Sequence, residues 1–311
     1  MRNTFVKTLM NLMEADPRIV TLTADMGFGV FEELQQKFSD RFVNTGVAEA
    51  NTVGIAAGLA LSGRQVFFYA QAPFATMRCF EQVRLDIASN NLDVKIIGTS
   101  SGYTLGQYGL SHCAFEDAGA MRLLPNMMVI SPGDVYEAEM ATHAAAAVKT
   151  PVYVRIGRSN SFGADELIHK DKPAFQIGKG IMLSEGSDIA LLATGSMLRT
   201  AARVVEKLQA AGVSITLVSM HTLKPIDDEL LKILSDKVKT LVTLEEHSII
   251  GGLGSAVLES LNNQNLQARV MRLGTKDSFL HVTGSREYLL GQHGLTVDQI
   301  YERVMDILRI S

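Results

Sequence analysis

The sequence predicts an α/β protein of two domains, each a mainly parallel sheet flanked by helices. Three observations predict it. The chain has 311 residues, about twice the usual domain length. Short β-branched apolar runs recur, each followed by a longer amphipathic segment, the pattern of βα units on a parallel sheet. A polar stretch at 157–178, containing Pro173 and lacking any apolar period, interrupts that rhythm and reads as a linker. The expected units are therefore 1–160, a linker at 161–180, and 181–311.

Residues 1–15 carry an amphipathic helical period with Glu14 and no cleavage site, so a helix is expected rather than a signal peptide. Strands are expected at 19–23, 66–70, 94–99, 127–131 and 152–156. Several are apolar on consecutive positions, as in parallel strands covered on both faces. Helical patterns lie between them at 30–38, 48–61, 78–89, 119–124 and 136–148. After the linker, strands are expected at 189–194, 214–220, 240–245 and 268–273. Helices are expected there at 197–211, 227–234, 254–262 and 298–308.

Composition removes several classes of function. Charged residues are 20% and hydrophobic ones 47%, with net charge -4 and pI near 6.0, an ordinary globular balance without the basic footprint of a nucleic-acid binder. No basic amphipathic helix suggests a membrane surface, and no apolar run reaches the roughly 18 residues of a membrane span. The expectation is a soluble, cytoplasmic protein. Cys79 and Cys113 form no metal or redox spacing, and the seven histidines show no ligand pattern. There is no P-loop and no GxSxG elbow. Gly251-Gly252-Leu253-Gly254 is only a partial glycine motif and reads as the start of a helix.

Four features could carry chemistry. Glu49 opens the helical stretch EANTVGIAAGLAL, where every later position except Asn51 is apolar, Gly or Thr. Such a helix is expected to be buried in a core or an interface, and a buried carboxylate needs a partner. Glu49 could equally serve the free N–H groups of the first helical turn. Asp25, in Ala24-Asp25-Met26-Gly27, follows the first strand and fits a ligand contact or a turn. The glycine-rich loop GYTLGQYGLSH, residues 102–112, follows the strand at 94–99, and His112 could be functional or structural. Arg155 and Arg158 end a strand and could bind an anionic group or pair with an acidic neighbour. All four lie at one sheet edge, where open α/β sheets bind ligands.

Taken together, TADMG, NTGVAEANTVGIAAGLAL, the GLSH loop, RLLPNMMVISPGD, VYVRIGR, LLATGS and TLVTLEEHSIIGGLGSAV resemble the transketolase family of thiamine diphosphate enzymes. The resemblance covers essentially the whole chain. It is to the separate C-terminal subunit of split transketolases, which joins a pyrimidine-binding (Pyr) domain to a transketolase C-terminal domain. It implies ketol transfer, a two-carbon unit passing from a ketose to an aldose. It also implies that Glu49 hydrogen-bonds the cofactor's aminopyrimidine through a shared proton. By the same likeness His112 contacts donor hydroxyls, Asp25 lies near the cofactor, and Phe74 stacks on the pyrimidine. Arg78 stands where transketolases have Tyr and deoxyxylulose-phosphate synthases have Arg. Arg158 and Arg2 would hold a distal anionic group.

The family's diphosphate and Mg²⁺ signature, GDG followed by Asn, is absent from the sequence. The resemblance therefore implies a partner subunit bearing the diphosphate-binding (PP) domain and the ligands for Mg²⁺ or another divalent cation. It implies an α2β2 heterotetramer with Pyr-domain self-association. Tyr108 replaces the Asp of the GxDGxTH pattern, Ser100 a phosphate-contacting His, and Gly29 a Ser. These departures point toward an atypical sugar, such as a branched or sulfonated one. The competing readings are a β subunit of a 2-oxo acid dehydrogenase E1 component and a non-catalytic binding subunit.

Overall fold

The computed structural model describes residues 1–157 and 167–310. The first half runs α1 (Arg2–Ala15), β1 (Ile19–Thr23), α2 (Glu32–Lys37), β2 (Phe42–Asn44), α3 (Glu49–Leu61) and β3 (Gln65–Gln71). It continues with α4 (Ala72–Thr76), α5 (Phe80–Gln82), a π-helical turn at Val83–Ala88, β4 (Val94–Thr99), α6 (Asp117–Leu123), β5 (Met128–Ile130), α7 (Val135–Ala147) and β6 (Val152–Ile156). The second half opens with β7 (Ile181–Ser184), β8 (Ile189–Ala193), α8 (Met197–Ala210), β9 (Ile215–Ser219) and β10 (Thr222–Lys224). It ends with α9 (Asp228–Lys237), β11 (Thr240–Ser248), α10 (Leu253–Asn263), β12 (Arg269–Thr275), α11 (Arg286–Gln292) and α12 (Val297–Ile310).

Two sheets result, both mainly parallel as expected. The first has the order β10-β5-β6-β4-β3-β1-β2 and the second β12-β11-β8-β9-β7. Among the described strands only β10, against β5, and β7, against β9, run antiparallel. The central strands β4, β6 and β8 are buried at every position, and they are apolar apart from Lys95 and Thr99 in β4 and Arg155 in β6.

The short edge strands β2, β7 and β10 were not among the expected elements. Strands of three or four residues are too brief to establish a period of two. The expected helix at 78–89 is instead α5 running into the π-helical turn, with α4 ahead of it and Pro73 in its first turn. α11 was also missed.

β10 belongs to the second half of the sequence yet completes the first sheet, so the halves are interleaved. A buried polar cluster ties them further. Arg155 donates from Nε to Asp117 Oδ2 at 2.7 Å, and from Nη2 to the carbonyls of Ala114 and Glu246, both at 2.9 Å. Tyr153 donates its hydroxyl to the same Asp117 oxygen at 2.6 Å. Burial pushes the Asp117 carboxyl up, but Arg155, His247 and Tyr153 outweigh it and hold the group below its ordinary value.

Candidate active site

Glu49 is the first residue of α3, and among the described residues its carboxylate is bonded by Arg78 and by no N–H of the first turn. The carboxylate is 3% exposed, and its Oε2 accepts from Arg78 Nη1 at 2.8 Å. Among the described residues no other donor reaches it, so Oε1 has no protein hydrogen bond. The partner a buried carboxylate requires is thus Arg78, supplied by the segment between α4 and α5.

Arg78 lies with its guanidinium 3.8 Å from the centroid of the Phe74 ring, a cation–π contact. Phe74 meets His112 edge-on at 5.3 Å between ring centroids, and His112 meets Tyr108 at 5.3 Å. Ser111 Oγ lies 2.9 Å from His112 Nδ1, while His112 Nε2 has no protein partner among the described residues. Five of the residues singled out from the sequence, Glu49, Arg78, Phe74, His112 and Tyr108, therefore form one connected row.

Cys79 lies beside this row and donates to the carbonyls of Phe74 and Ala75. Burial, reinforced by the charge of Glu49, pushes its thiol up to about 12, so it remains a neutral thiol rather than a nucleophile.

A second group surrounds a cavity of about 260 Å³ at the C-terminal ends of β1, β3 and β4. Arg2, Asp25, Tyr69, Gln71, Thr99 and Ser100 line it. Asp25 and Ser100 both adopt the left-handed backbone conformation, with φ of 50° and 58°, uncommon outside Gly and Asn and a frequent mark of functional loops. Asn44 joins the two groups. Its Oδ1 accepts from the N–H of Asp25 at 2.9 Å and of Gly46 at 3.0 Å, fixing the turn that delivers Glu49. Buried atoms Gln71 Oε1 and Thr99 Oγ1 have no protein hydrogen bond in this cavity's lining.

The sequence reading did not single out Asn44, Gln71 or Thr99. Gln71 had a signal, since it is the polar residue at the C-terminal end of a strand, QVFFYAQ, whose interior is apolar and aromatic. Arg155 is not an anion site, because Asp117 and two carbonyls occupy its donors. Arg158 lies outside the described residues.

The helix behind Glu49 is buried on one side only within this chain, which departs from burial in a core and leaves the interface alternative. Thr52, Val53, Ala56 and Ala57 are buried, whereas Asn51, Gly54, Ile55, Gly58 and Leu61 are exposed. A Cβ added at Gly54 or Gly58 would meet nothing within 4 Å. Apart from Asn51 the exposed face is therefore uncharged, apolar and flat, and Val47 and Leu85 are further exposed apolar side chains in this half of the chain.

The site's residues fit a thiamine-type cofactor in three respects. A buried carboxylate has one oxygen unengaged, the Phe74 ring stands against the Arg78 that holds it, and the side chains of Arg78 and His112 remain partly open to solvent. No described helix is long and apolar enough to cross a membrane.

Comparison with known proteins supplies the remaining context. The family described as transketolase, pyrimidine binding domain, matches residues 1–162, and that described as transketolase, C-terminal domain, matches residues 178–300. A putative transketolase C-terminal section from Methanocaldococcus jannaschii is 39% identical, covering 99% of this chain and 96% of that one. A 6-deoxy-6-sulfo-D-fructose transketolase subunit, SqwH, from Clostridium sp. (strain MSTE9) is 35% identical, covering 99% of this chain and 94% of that one. The solved structure described as a split gene transketolase, inactive beta4 tetramer, superposes with a TM-score of 0.89 at 37% identity, covering 99% and 98% of the two chains.

Proposed function

The chain belongs to the transketolase family, and from that premise we propose that it is the C-terminal subunit of a two-component, thiamine diphosphate-dependent transketolase. In such an enzyme the C2–C3 bond of a ketose breaks and the two-carbon unit joins the carbonyl carbon of an aldose. Thiamine diphosphate, when bound, supplies the carbon nucleophile and the electron sink for that unit.

This chain's residues do the rest of the work we assign to it. Glu49 holds the proton shared with the aminopyrimidine ring, using the oxygen that Arg78 leaves unengaged. Phe74 offers the cofactor an apolar face, with Arg78 covering part of it. His112 orients donor hydroxyls through Nε2 while Ser111 fixes Nδ1. Tyr108 closes the row and excludes water. Arg2 and Ser100 line the cavity for the distal end of the sugar and Asp25 lines its cofactor side, with Arg158 as a further anion contact. The observation that carries the reading is the buried Glu49 carboxylate with one free oxygen, in contact with the row that ends at His112.

We assign the diphosphate and the Mg²⁺ or other divalent cation to an N-terminal PP-domain partner, because the GDG…Asn signature is absent here. The beta4 tetramer described as inactive supports this division of labour. The exposed apolar face of α3 supports Pyr-domain self-association within an α2β2 assembly, which we place in the cytoplasm. The units read as 1–160 and 181–311, joined through 161–180. Tyr108 and Ser100, together with the sulfonated sugar in the name of one relative, support an atypical sugar substrate over the common phosphosugar pair.

The test is reconstitution with the N-terminal partner, followed by assay of a ketose and aldose panel. Ketol transfer should need both subunits. Transfer by this chain alone, or no transfer by the pair with any ketose, would overturn the reading. Xylulose 5-phosphate with ribose 5-phosphate as much the best pair would remove the atypical substrate alone.

A further inference from the structure

The loop bearing Tyr108 and His112 contains no Asp, Glu, Lys or Arg between Gly102 and Cys113, so no ion pair of its own holds it. Its base is closed by reciprocal backbone bonds between Gly102 and Ala114, at 3.1 and 3.3 Å. Its body is two short 3₁₀ turns, Gly106–Tyr108 and Leu110–His112. One side meets Phe74 through His112. The other rests on the second half of the chain.

That second contact is built from buried polar groups. Glu246, at the end of β11, accepts from the N–H of Tyr103 at 2.8 Å. The same carboxylate is held by Arg286, at 2.6 and 3.0 Å, and by Ser196 at 2.5 Å. Gly102 has no room for a side chain, since a Cβ would lie 2.3 Å from Glu246 Cδ.

The Tyr103 hydroxyl lies 2.5 Å from His293 Nε2, just after α11. The N–H of Lys276 donates to His293 Nδ1 at 3.1 Å, so the proton sits on Nε2 and is donated to Tyr103. Gly284 N–H reaches the Gly106 carbonyl at 3.4 Å. A Cβ on Gly106 would strike Leu289 Cδ1 at 2.3 Å.

We propose that Tyr103, His293 and Glu246 are positioning residues, through which the C-terminal half sets where His112 meets the donor sugar. This rests on the assignment of His112 as a donor contact. Between Tyr103 and His112 lie only the two 3₁₀ turns, so a shift at Tyr103 has little slack to absorb it. A misplacement of about 1 Å at a substrate-orienting group is enough to cost one to two orders of magnitude.

The test uses the reconstituted two-subunit enzyme and reads donor KM, kcat and thiamine diphosphate affinity for Tyr103→Phe, His293→Leu and His293→Gln, each alone and with His112→Ala. Tyr103→Phe and His293→Leu should raise donor KM about tenfold with cofactor affinity unchanged. His293→Gln, which keeps a donor directed at Tyr103, should recover most of the loss. In the His112→Ala background Tyr103→Phe should add nothing, because the group it positions is gone.

Additive effects in that cycle would mean a merely structural role and overturn the proposal. So would an unchanged donor KM in Tyr103→Phe beside a defective His112→Ala, with the His112 assignment left standing. Unchanged donor KM in His112→Ala itself would take down both. If His293→Leu fails to fold, Tyr103→Phe, which removes a single oxygen, still decides the matter.

Discussion

Glu49→Gln separates what the carboxylate does for the fold from what it does for the reaction. In the free subunit the side chain faces a single partner, Arg78, whose own side chain is 45% exposed. When the charge is removed, Arg78 can turn toward water and is not stranded as a buried cation. The pair therefore sits nearer the surface-bridge range than the 3–5 kcal/mol of a broken buried one, at about 1 kcal/mol. For a chain of 311 residues that corresponds to a Tm change of about 1–2 °C. Catalysis should respond quite differently. Loss of one preorganised, charge-bearing contact to the reacting system costs about 10²–10³-fold in kcat, or about 3–4 kcal/mol. The assay is ketol transfer by the reconstituted pair, beside thermal denaturation and the size of the assembly. The expected result is near-normal stability and assembly with activity down at least a hundredfold. Activity within threefold of the parent would refute the role given to Glu49, and a Tm loss above about 5 °C would refute the stability argument.

Four further outcomes are expected. The isolated chain should bind thiamine diphosphate weakly or not at all by calorimetry, and tight binding without a partner would contradict the half-site. Leu61→Glu, on the exposed face of α3, should reduce self-association in sedimentation while leaving the circular dichroism spectrum intact; an unchanged assembly would exclude that face. Arg155→Leu strands the Asp117 carboxylate and should cost about 3–5 kcal/mol in chemical denaturation, against less than 1 kcal/mol if the cluster were dispensable. The last concerns pH, through the buried pair His169–Glu137 at 2.7 Å. Burial lowers His169, but the Glu137 bond and charge raise it above 6.5 overall; burial raises Glu137, but His169 and its other neighbours hold it below 4.5. The raised His169 stabilises fully below pH 6.5 and loses that as pH climbs through its folded value. The lowered Glu137 stabilises fully above pH 4.5 and loses that as pH falls. Denaturation midpoints should plateau between those values, and His169→Gln should abolish the alkaline decline; an identical decline in the variant would remove His169 as its source.

Much of this fold could be read from the residues because the decisive strands are buried on both faces. Runs such as Ile19–Thr23 and Val152–Ile156 leave little choice but the centre of a parallel sheet. The short edge strands escaped for the opposite reason. β10 has three residues, and its pairing with β5 is a long-range event that no local pattern announces. In the site, Glu49 was conspicuous because a lone charge on an uncharged helix demands a partner. Its partner was not derivable from spacing, since Arg78 reaches it across 29 positions of sequence. The Tyr103–His293 contact spans 190 positions; Tyr103 lies in the glycine-rich loop, but nothing in the sequence around His293 announces the pairing.

The two faces of α3 have a joint consequence. Its buried side begins at Glu49 and its exposed side ends at Leu61, within one rigid helix of 13 residues. At 1.5 Å per residue such a helix spans about 20 Å, so whatever covers the exposed glycines and Ile55 also fixes the axis on which the carboxylate sits. An apolar face left in water gives the free subunit a reason to associate, while the unengaged Glu49 oxygen gives it a reason to wait for a cofactor. On the proposed function, assembly and chemistry are set by opposite sides of one element. A substitution that loosens the outer face should therefore weaken catalysis even where Glu49, Arg78 and His112 are untouched. Gly58→Leu supplies the sharp case: its side chain meets open space in the free subunit and, by removing a helical glycine, should keep or raise monomer stability by up to about 1 kcal/mol, yet hold an approaching helix away. Assembly and ketol transfer should fall together across protein concentration. Full activity at concentrations where the variant remains dissociated would break the link between the two faces.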